Sequence, residues 1–343
     1  MILDHSSARL LETCARKFYY SAVRGWRPSA EDATARRFGS AYHALLAAGY
    51  RAVRDRYATS PTEAATTSLA GFDAVWVAEG LPDAAALLAA GRGVDVYTPT
   101  VLRGLVRAYW VWRWPLVSEC EVLLVEEART VPLDGEARYR WAAKLDVVLR
   151  RRDTGVLYPV DHKTTKSYSG SKRDPSSLGV ADAVLREHAL SAQFRGQALL
   201  ARLGWPDAPL GGVLVDTALV SELRQDIFVS TLVEIDDAGL ETFRREAVAL
   251  FDGFEEAPPP VARYRRSTGA CRLFGSICAY ADLCEAGHFT ASPDDTVFGL
   301  TEPPYGFVFE PWNPFEPGSA DAAAWDAQRD HLKATANPRW ATV

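Results

Sequence analysis

The chain has 343 residues, a formal charge of -6 and five cysteines. That length allows one large domain or two smaller ones with a core that needs no disulfide staples; the net acidity does not favour general polyanion binding, although Arg150-Arg151-Arg152, Lys172-Arg173 and Arg263, Arg265 and Arg266 are local basic patches. No stretch reaches the roughly 18 uncharged apolar residues of a membrane helix, and Asp4, Glu12, Arg16 and Lys17 stand where a secretory leader is apolar, so no membrane partner and a cytoplasmic location are expected.

Leu10, Leu11, Cys14, Phe18 and Tyr19 recur at helical spacing and predict a helix from Ser6 to about Ser21. Phe38, Tyr42, Leu45, Leu46 and Tyr50 predict a second over Thr34 to Tyr57, and the Ala-rich stretch to about Ala90 is helical in composition. Thr98-Pro99 starts another helix, as N-cap and first-turn proline. The pattern changes at Glu121. "EVLLVEEARTVPL", "ARYRWAAKLDVVLRR" and "GVLYPVDHKT" read as strands, with Asp134-Gly135 and Asp153-Thr154-Gly155 as the turns between them. A polar loop from Ser167 to Ser177 leads to a helix over about Ala181 to Leu203, the strands "GGVLVDTALV" and "QDIFVSTLVEI", and a helix from Asp237 to Phe254. Beyond Cys284, "TEPPYGFVFEPWNPFEP" has the composition of an irregular strap whose aromatics drape over the domain. The expected fold is α/β, with a mixed central sheet flanked by helices. It divides into a helical N-terminal region over 1–120, a core over 121–256, a cysteine region over 257–290 and the strap over 291–343, all one integrated domain.

Within "LYPVDHKTTK", Asp161 and Lys163 are two apart on a strand and share one face, with His162 on the other, pointing away from the acids. The preceding strand carries a second isolated acid, Asp146, inside an apolar run. If the hairpin folds about the midpoint of Asp153 and Thr154, Asp146 lies opposite Asp161, and a slip of one residue sends the two to opposite faces. Two such carboxylates repel unless one is protonated or a divalent cation sits between them. Two aspartates and a lysine around Mg2+ or Mn2+ make a hydrolytic device; a strand-end salt bridge between Asp161 and Lys163 is the alternative that spacing leaves open.

"KLDVVL" followed by "YPVDHKT" resembles the two core motifs of the PD-(D/E)XK nuclease superfamily in its RecB-like branch. "FGSAYHALL" resembles the first-helix motif of that branch, which implies His43 as a metal ligand, and "SAQFRGQALLAR" resembles its Q-x-x-x-Y helix, which implies Gln193 as a substrate-side glutamine. Gln197 stands where that motif has tyrosine, and Ala143 where a glycine is usual. "LLETCARKFYYSAVRGW" resembles the N-terminal segment of iron-sulfur members, among them CRISPR-associated adaptation exonucleases, AddB-type nucleases and stand-alone phage exonucleases. The resemblance implies a restriction-endonuclease-like core with an N-terminal helical wrapper and a C-terminal iron-sulfur clasp. It implies a DNA exonuclease in which His43, Asp146, Asp161 and the backbone carbonyl of His162 bind Mg2+ or Mn2+ and Lys163 places the attacking water. Single-stranded DNA or DNA ends are the implied substrate, recombination or CRISPR adaptation proteins the implied partners, and Lys166, Lys172, Arg173 and Arg195 the candidate phosphate contacts.

Cys271-x6-Cys278-x5-Cys284 lacks the paired C-x2-C knuckles of zinc ribbons and leaves three thiolates wanting a fourth ligand. The resemblance supplies Cys14 and a 4Fe-4S cluster; zinc at the same four thiolates is the alternative in ligand chemistry, and Cys120 suits a free buried thiol. Two other functions compete: a DNA-end-binding accessory protein that does not cleave, and a hydrolase of small phosphates, for which no Gly-rich phosphate cradle is present.

Overall fold

The structure is a computed structural model and describes residues 1–29, 33–82, 96–257, 263–273, 276–285 and 302–335. In chain order its main elements are β1 (Ile2–Asp4), α1 (His5–Thr13), α2 (Ala15–Phe18), β2 (Trp26–Pro28), α3 (Thr34–Arg54), α4 (Pro61–Ala70), α5 (Phe72–Ala78), α6 (Pro99–Val117), β3 (Cys120–Pro132), β4 (Arg140–Arg151) and β5 (Leu157–Thr165). There follow β6 (Tyr168–Ser171), β7 (Asp174–Val180), α7 (Asp182–Leu190), α8 (Ala192–Gly204), β8 (Val213–Leu219), β9 (Phe228–Val233), α9 (Asp237–Glu255), β10 (Arg272–Leu273), β11 (Ser276–Ile277), α10 (Ala281–Glu285), β12 (Phe307–Phe309) and α11 (Ala320–Thr335). The expected helical stretch to about Ala90 runs past the described residues after Pro82.

The chain forms two compact units. One comprises Asp32–Glu127 and Lys144–Leu240 and carries a mixed sheet. Here β4 runs antiparallel to β5, β5 parallel to β8, and β8 antiparallel to β9. The β4–β5 register, Val147 on Val160 through Arg150 on Leu157, is the one that a hairpin about Asp153 and Thr154 requires. Val147, Leu149 and Val160 pack into one core with Leu45, Tyr50 and Leu105 of α3 and α6, so those helices cover one face of the sheet. Residues of opposite parity face the other way, where α8 lies against β5 and β8. Thr98 caps α6 by accepting from the Val101 N–H ahead of Pro99, as its sequence predicts.

Two expectations about elements of this unit need correction. The helix expected over about Ala181 to Leu203 is two, because Ser191 is extended and its hydroxyl caps α8 by accepting from the Gln193 N–H. The expected polar loop is the hairpin β6–β7, whose register shifts between Ser169 and Ser171. Gly170 at φ +86 makes that bulge: a Cβ there would lie 2.1 Å from the Ser177 carbonyl oxygen. Leu178 and Val180 hold the base of the hairpin against Leu219 and Ile227.

The other unit comprises Met1–Glu31, Ala128–Ala143 and Glu241–Val343. Within it β1 pairs in parallel with Arg140–Ala142 of β4. Asp4 caps α1 through the Ser7 N–H, and its other oxygen accepts from Trp312 Nε1 at 2.9 Å. The helix expected from Ser6 to Ser21 is interrupted at Cys14, whose backbone is extended, φ -164 and ψ 106, and continues as α2 and a single π turn over Tyr19–Val23. The tail is more regular than its composition suggests, since β12 pairs antiparallel with β2 and α11 is a full helix. Backbone pairing lets Phe307–Phe309 form a strand despite the surrounding prolines.

Candidate metal centre

The end of the β4–β5 ladder sets the geometry of the centre. Beyond Val147 and Val160 the two strands no longer pair, and the His162 N–H donates to Asp146 Oδ2 at 2.8 Å instead. His43 reaches the same oxygen from α3, with Nδ1 at 3.2 Å. The His162 ring also turns towards it, Nδ1 to Oδ2 3.5 Å, which corrects the expectation that this histidine points away from the acids. Strand alternation does put His162 on the α3 and α6 face, but where the ladder stops the Asp146 carboxylate occupies the opening and meets the ring there. His43, Asp146 and His162 form a group whose ligand atoms all lie within 4.8 Å of one another.

Asp161 is outside that trio and is held from α8. Its Oδ1 accepts from Gln193 Nε2 at 2.7 Å and from Gln197 Nε2 at 2.8 Å, while its Oδ2 lies 2.6 Å from Lys163 Nζ. Gln193 thus acts on Asp161, and Gln197, four residues later and one helical turn on, duplicates it. Asp161 is 2 % exposed and Lys163 34 %, so the ammonium is the end of the pair that solvent or a ligand meets.

Charge in this pocket is tightly compensated. Burial opposes the charged His43 imidazole, but the Asp146 charge and the hydrogen bonds of Asp146 and Glu126 outweigh it and carry the group from 6.5 up to about 10. Burial pushes Asp146 up, yet the His43 charge and the hydrogen bonds from His162 and His43 hold it well below the usual carboxylate range. Lys163 is pulled down by burial and raised above its usual value by Asp161 and Asp146. A proton on His43 therefore balances carboxylates that a bound cation would otherwise balance. The donors are hard oxygens and imidazole nitrogen, a set that suits a divalent ion such as Mg2+ or Mn2+.

Two further groups are part of this site. Glu126 lies 3.7 Å from His43 Nδ1, and its Oε2 is 2.5 Å from Lys144 Nζ. It adopts φ 51 in the middle of β3, a left-handed conformation that a non-glycine residue seldom takes and that re-aims the side chain. Behind the histidine, Tyr109 OH is 2.9 Å from His162 Nε2 and donates to Asp216 Oδ2 at 3.2 Å. Asp216 is itself paired with Arg113 at 2.9 Å and accepts from Ser230 at 2.8 Å. Asp216 stands beside His162 in the parallel register of β5 and β8. Both acids were visible as charges inside apolar strands, in "LLVEEAR" and "VLVDTAL", the same signal that singled out Asp146.

Cys14, Cys271, Cys278 and Cys284 stand in the other unit, whereas Cys120 belongs to the unit of the metal centre. All five are free; Cys14 and Cys120 are buried and Cys271, Cys278 and Cys284 partly so. Burial raises the Cys284 thiol above its usual range, Arg16 pulls it back, and Cys14, Cys278 and Cys271 are close enough to push it up further. Cys278 N–H donates to the Cys271 carbonyl at 2.8 Å, next to the Arg272–Ile277 pair of β10 and β11, so these two cysteines flank the paired strands.

Comparison with curated proteins gives no match. Comparison with protein families does: residues 3–285 match the PD-(D/E)XK nuclease superfamily, a span that contains every residue of the metal centre. A mixed sheet flanked by helices, an Asp within one strand where its ladder to the next stops, an Asp-x-Lys on that next strand and a His/Asp/His cluster that includes the first Asp agree with that match, and the chain belongs to the PD-(D/E)XK nuclease superfamily.

Proposed function

We propose that the chain is a metal-dependent DNA exonuclease of the RecB-like branch, acting on single strands or DNA ends in recombination, repair or CRISPR-related DNA processing in the cytoplasm. The observation that carries this reading is the convergence of His43 on Asp146 at the end of the ladder, next to the Asp161–Lys163 pair on the same strand as His162. His43, Asp146, Asp161 and the His162 carbonyl are the ligands in this reading. A bound Mg2+ or Mn2+ supplies polarisation of a phosphoryl oxygen and a water of lowered pKa. Gln193 and Gln197 clamp one oxygen of Asp161, which fixes the other beside Lys163. Lys163, kept protonated by its acids and partly exposed, orients the attacking water or steadies the negative charge that develops on the phosphate.

The same reading assigns Cys14, Cys271, Cys278 and Cys284 to a structural 4Fe-4S clasp, with zinc as the alternative metal, and the helical N-terminal region to its wrapper. The mutual influence of the four thiols at Cys284 supports it. The test is degradation of end-labelled linear and of circular single-stranded DNA with Mn2+. Wild type should consume the linear strand and spare the circle, and Asp161→Ala and Lys163→Ala should each lose about 100-fold or more in rate. Undiminished cleavage by either variant defeats the assignment, cutting of circles removes the exonuclease part, and binding without cleavage across several divalent cations means a DNA-end-binding protein instead.

A further inference from the structure

Immediately after the Asp-x-Lys strand the chain enters a cleft of about 740 Å³ between the β6–β7 hairpin and the end of β8. Its floor is apolar, made by Leu178, Leu219 and Val220, all buried. Its rim carries Lys166, Lys172 and the ring of Tyr168: Lys172 Nζ lies 5.4 Å from the Tyr168 ring centre, and Lys166 Nζ 5.7 Å from that of Tyr97, which is buried behind the rim. Among the described residues neither lysine has a carboxylate partner. Tyr168 is 42 % exposed, a large ring left in water at the mouth of the cleft.

We propose that this cleft is a subsite for one nucleotide of a single-stranded substrate, with Tyr168 stacking on the base and Lys166 and Lys172 taking the neighbouring phosphates. The proposal rests on the nuclease reading and extends it to how the strand is held. An apolar floor under a cationic rim matches an unpaired base between charged phosphates, whereas in a duplex the base faces are already stacked and closed to a side chain. Glu222 on the rim repels phosphates and so leaves the lysines as the path of the backbone. Lys166 follows Lys163 by three residues, roughly 10 Å of extended chain, so a strand bound here runs on towards the metal centre. The hairpin can serve as a fixed platform because Leu178 and Val180 anchor its base and the Gly170 bulge sets its twist.

The test is equilibrium binding by fluorescence anisotropy, without divalent cation so that nothing is cut, on the full chain. The probes are a short labelled single strand, an abasic strand of equal length and charge, and a blunt duplex. Tyr168→Ala should weaken the single strand on the order of tenfold, Tyr168→Phe should restore it, and the abasic strand should bind wild type and Tyr168→Ala alike. Lys172→Gln should weaken both single strands and lower the slope of log affinity against log salt by about 0.7. A Tyr168→Ala variant that binds the single strand like wild type, or loses as much affinity for the abasic strand or the duplex, overturns the subsite. Wild type that binds none of the three probes sinks the nuclease reading itself, while tight wild-type binding with an indifferent Tyr168 sinks the subsite alone.

Discussion

A proton and a divalent cation compete for the same lone pair on His43. The imidazole is carried from 6.5 to about 10, against the effect of its burial, by Asp146 and Glu126. Ligation needs the neutral ring, so metal binding must expel that proton. Apparent Mn2+ affinity, measured by calorimetry, should therefore rise with pH from neutrality up to about pH 10, by as much as about tenfold per unit, with a proton released into the buffer; His43→Asn should bind more weakly and lose most of that slope. Affinity independent of pH would remove His43 from the ligand set. For the metal-free chain the sign is reversed: a group raised from 6.5 to about 10 contributes stability that is fully present below pH 6.5 and is lost as the pH rises through 10. His43 itself was legible only through the family motif, because a histidine on an amphipathic helix looks the same whether it packs or ligates. The register that sets Asp146 beside the ladder end was legible from the turn alone. The ring of His162 was not, since alternation describes a regular strand and the Asp146 contact arises where the ladder stops.

At the scale of elements, α6 is tied to the sheet of its unit by charge as well as by packing. Arg113 and Asp216 are both nearly inaccessible, 7 % and 1 % by side chain, and lie 2.9 Å apart. Removing one partner leaves the other charged, dry and uncompensated, so Arg113→Leu should cost about 3–5 kcal/mol in denaturant unfolding. The double variant Arg113→Leu with Asp216→Leu should recover much of that loss; equal losses in the single and double variants would mean that the pair is not the source. The start of α6 was legible, because Thr98 and Pro99 act locally on the first turn. The break at Ser191 and the β6–β7 hairpin were less so. Ser191 stands in a run of good helix formers and ends α7 by capping α8, and the hairpin is built from Ser, Gly, Lys and Asp, which carry little strand propensity of their own. What makes it a hairpin is tertiary: Leu178 and Val180 finding Leu219 and Ile227.

On the scale of the whole chain, the unit that holds the cysteines is gathered from Met1–Glu31, Ala128–Ala143 and Glu241–Val343, so Cys14 and the later three meet across roughly 250 residues of intervening sequence. A group bound by all four thiolates would fasten the first of these stretches to the last, and because that group binds the folded arrangement and not the open chain, its binding energy is folding energy. Anaerobically purified protein should be brown and contain iron, and Cys284→Ser should lose both the iron and several degrees of melting temperature, at roughly 2–4 °C for each kcal/mol in a protein of this size class. Cys120→Ala should keep the iron, because Cys120 belongs to the other unit. Zinc in the same four-cysteine dependence would change the metal and keep the clasp; purified protein with neither metal would remove it. Manganese binding supplies the control: His43, Asp146 and Asp161 all lie in Asp32–Glu127 and Lys144–Leu240, so Mn2+ affinity retained by Cys284→Ser shows that the catalytic unit is still folded and assigns the lost stability to the clasp.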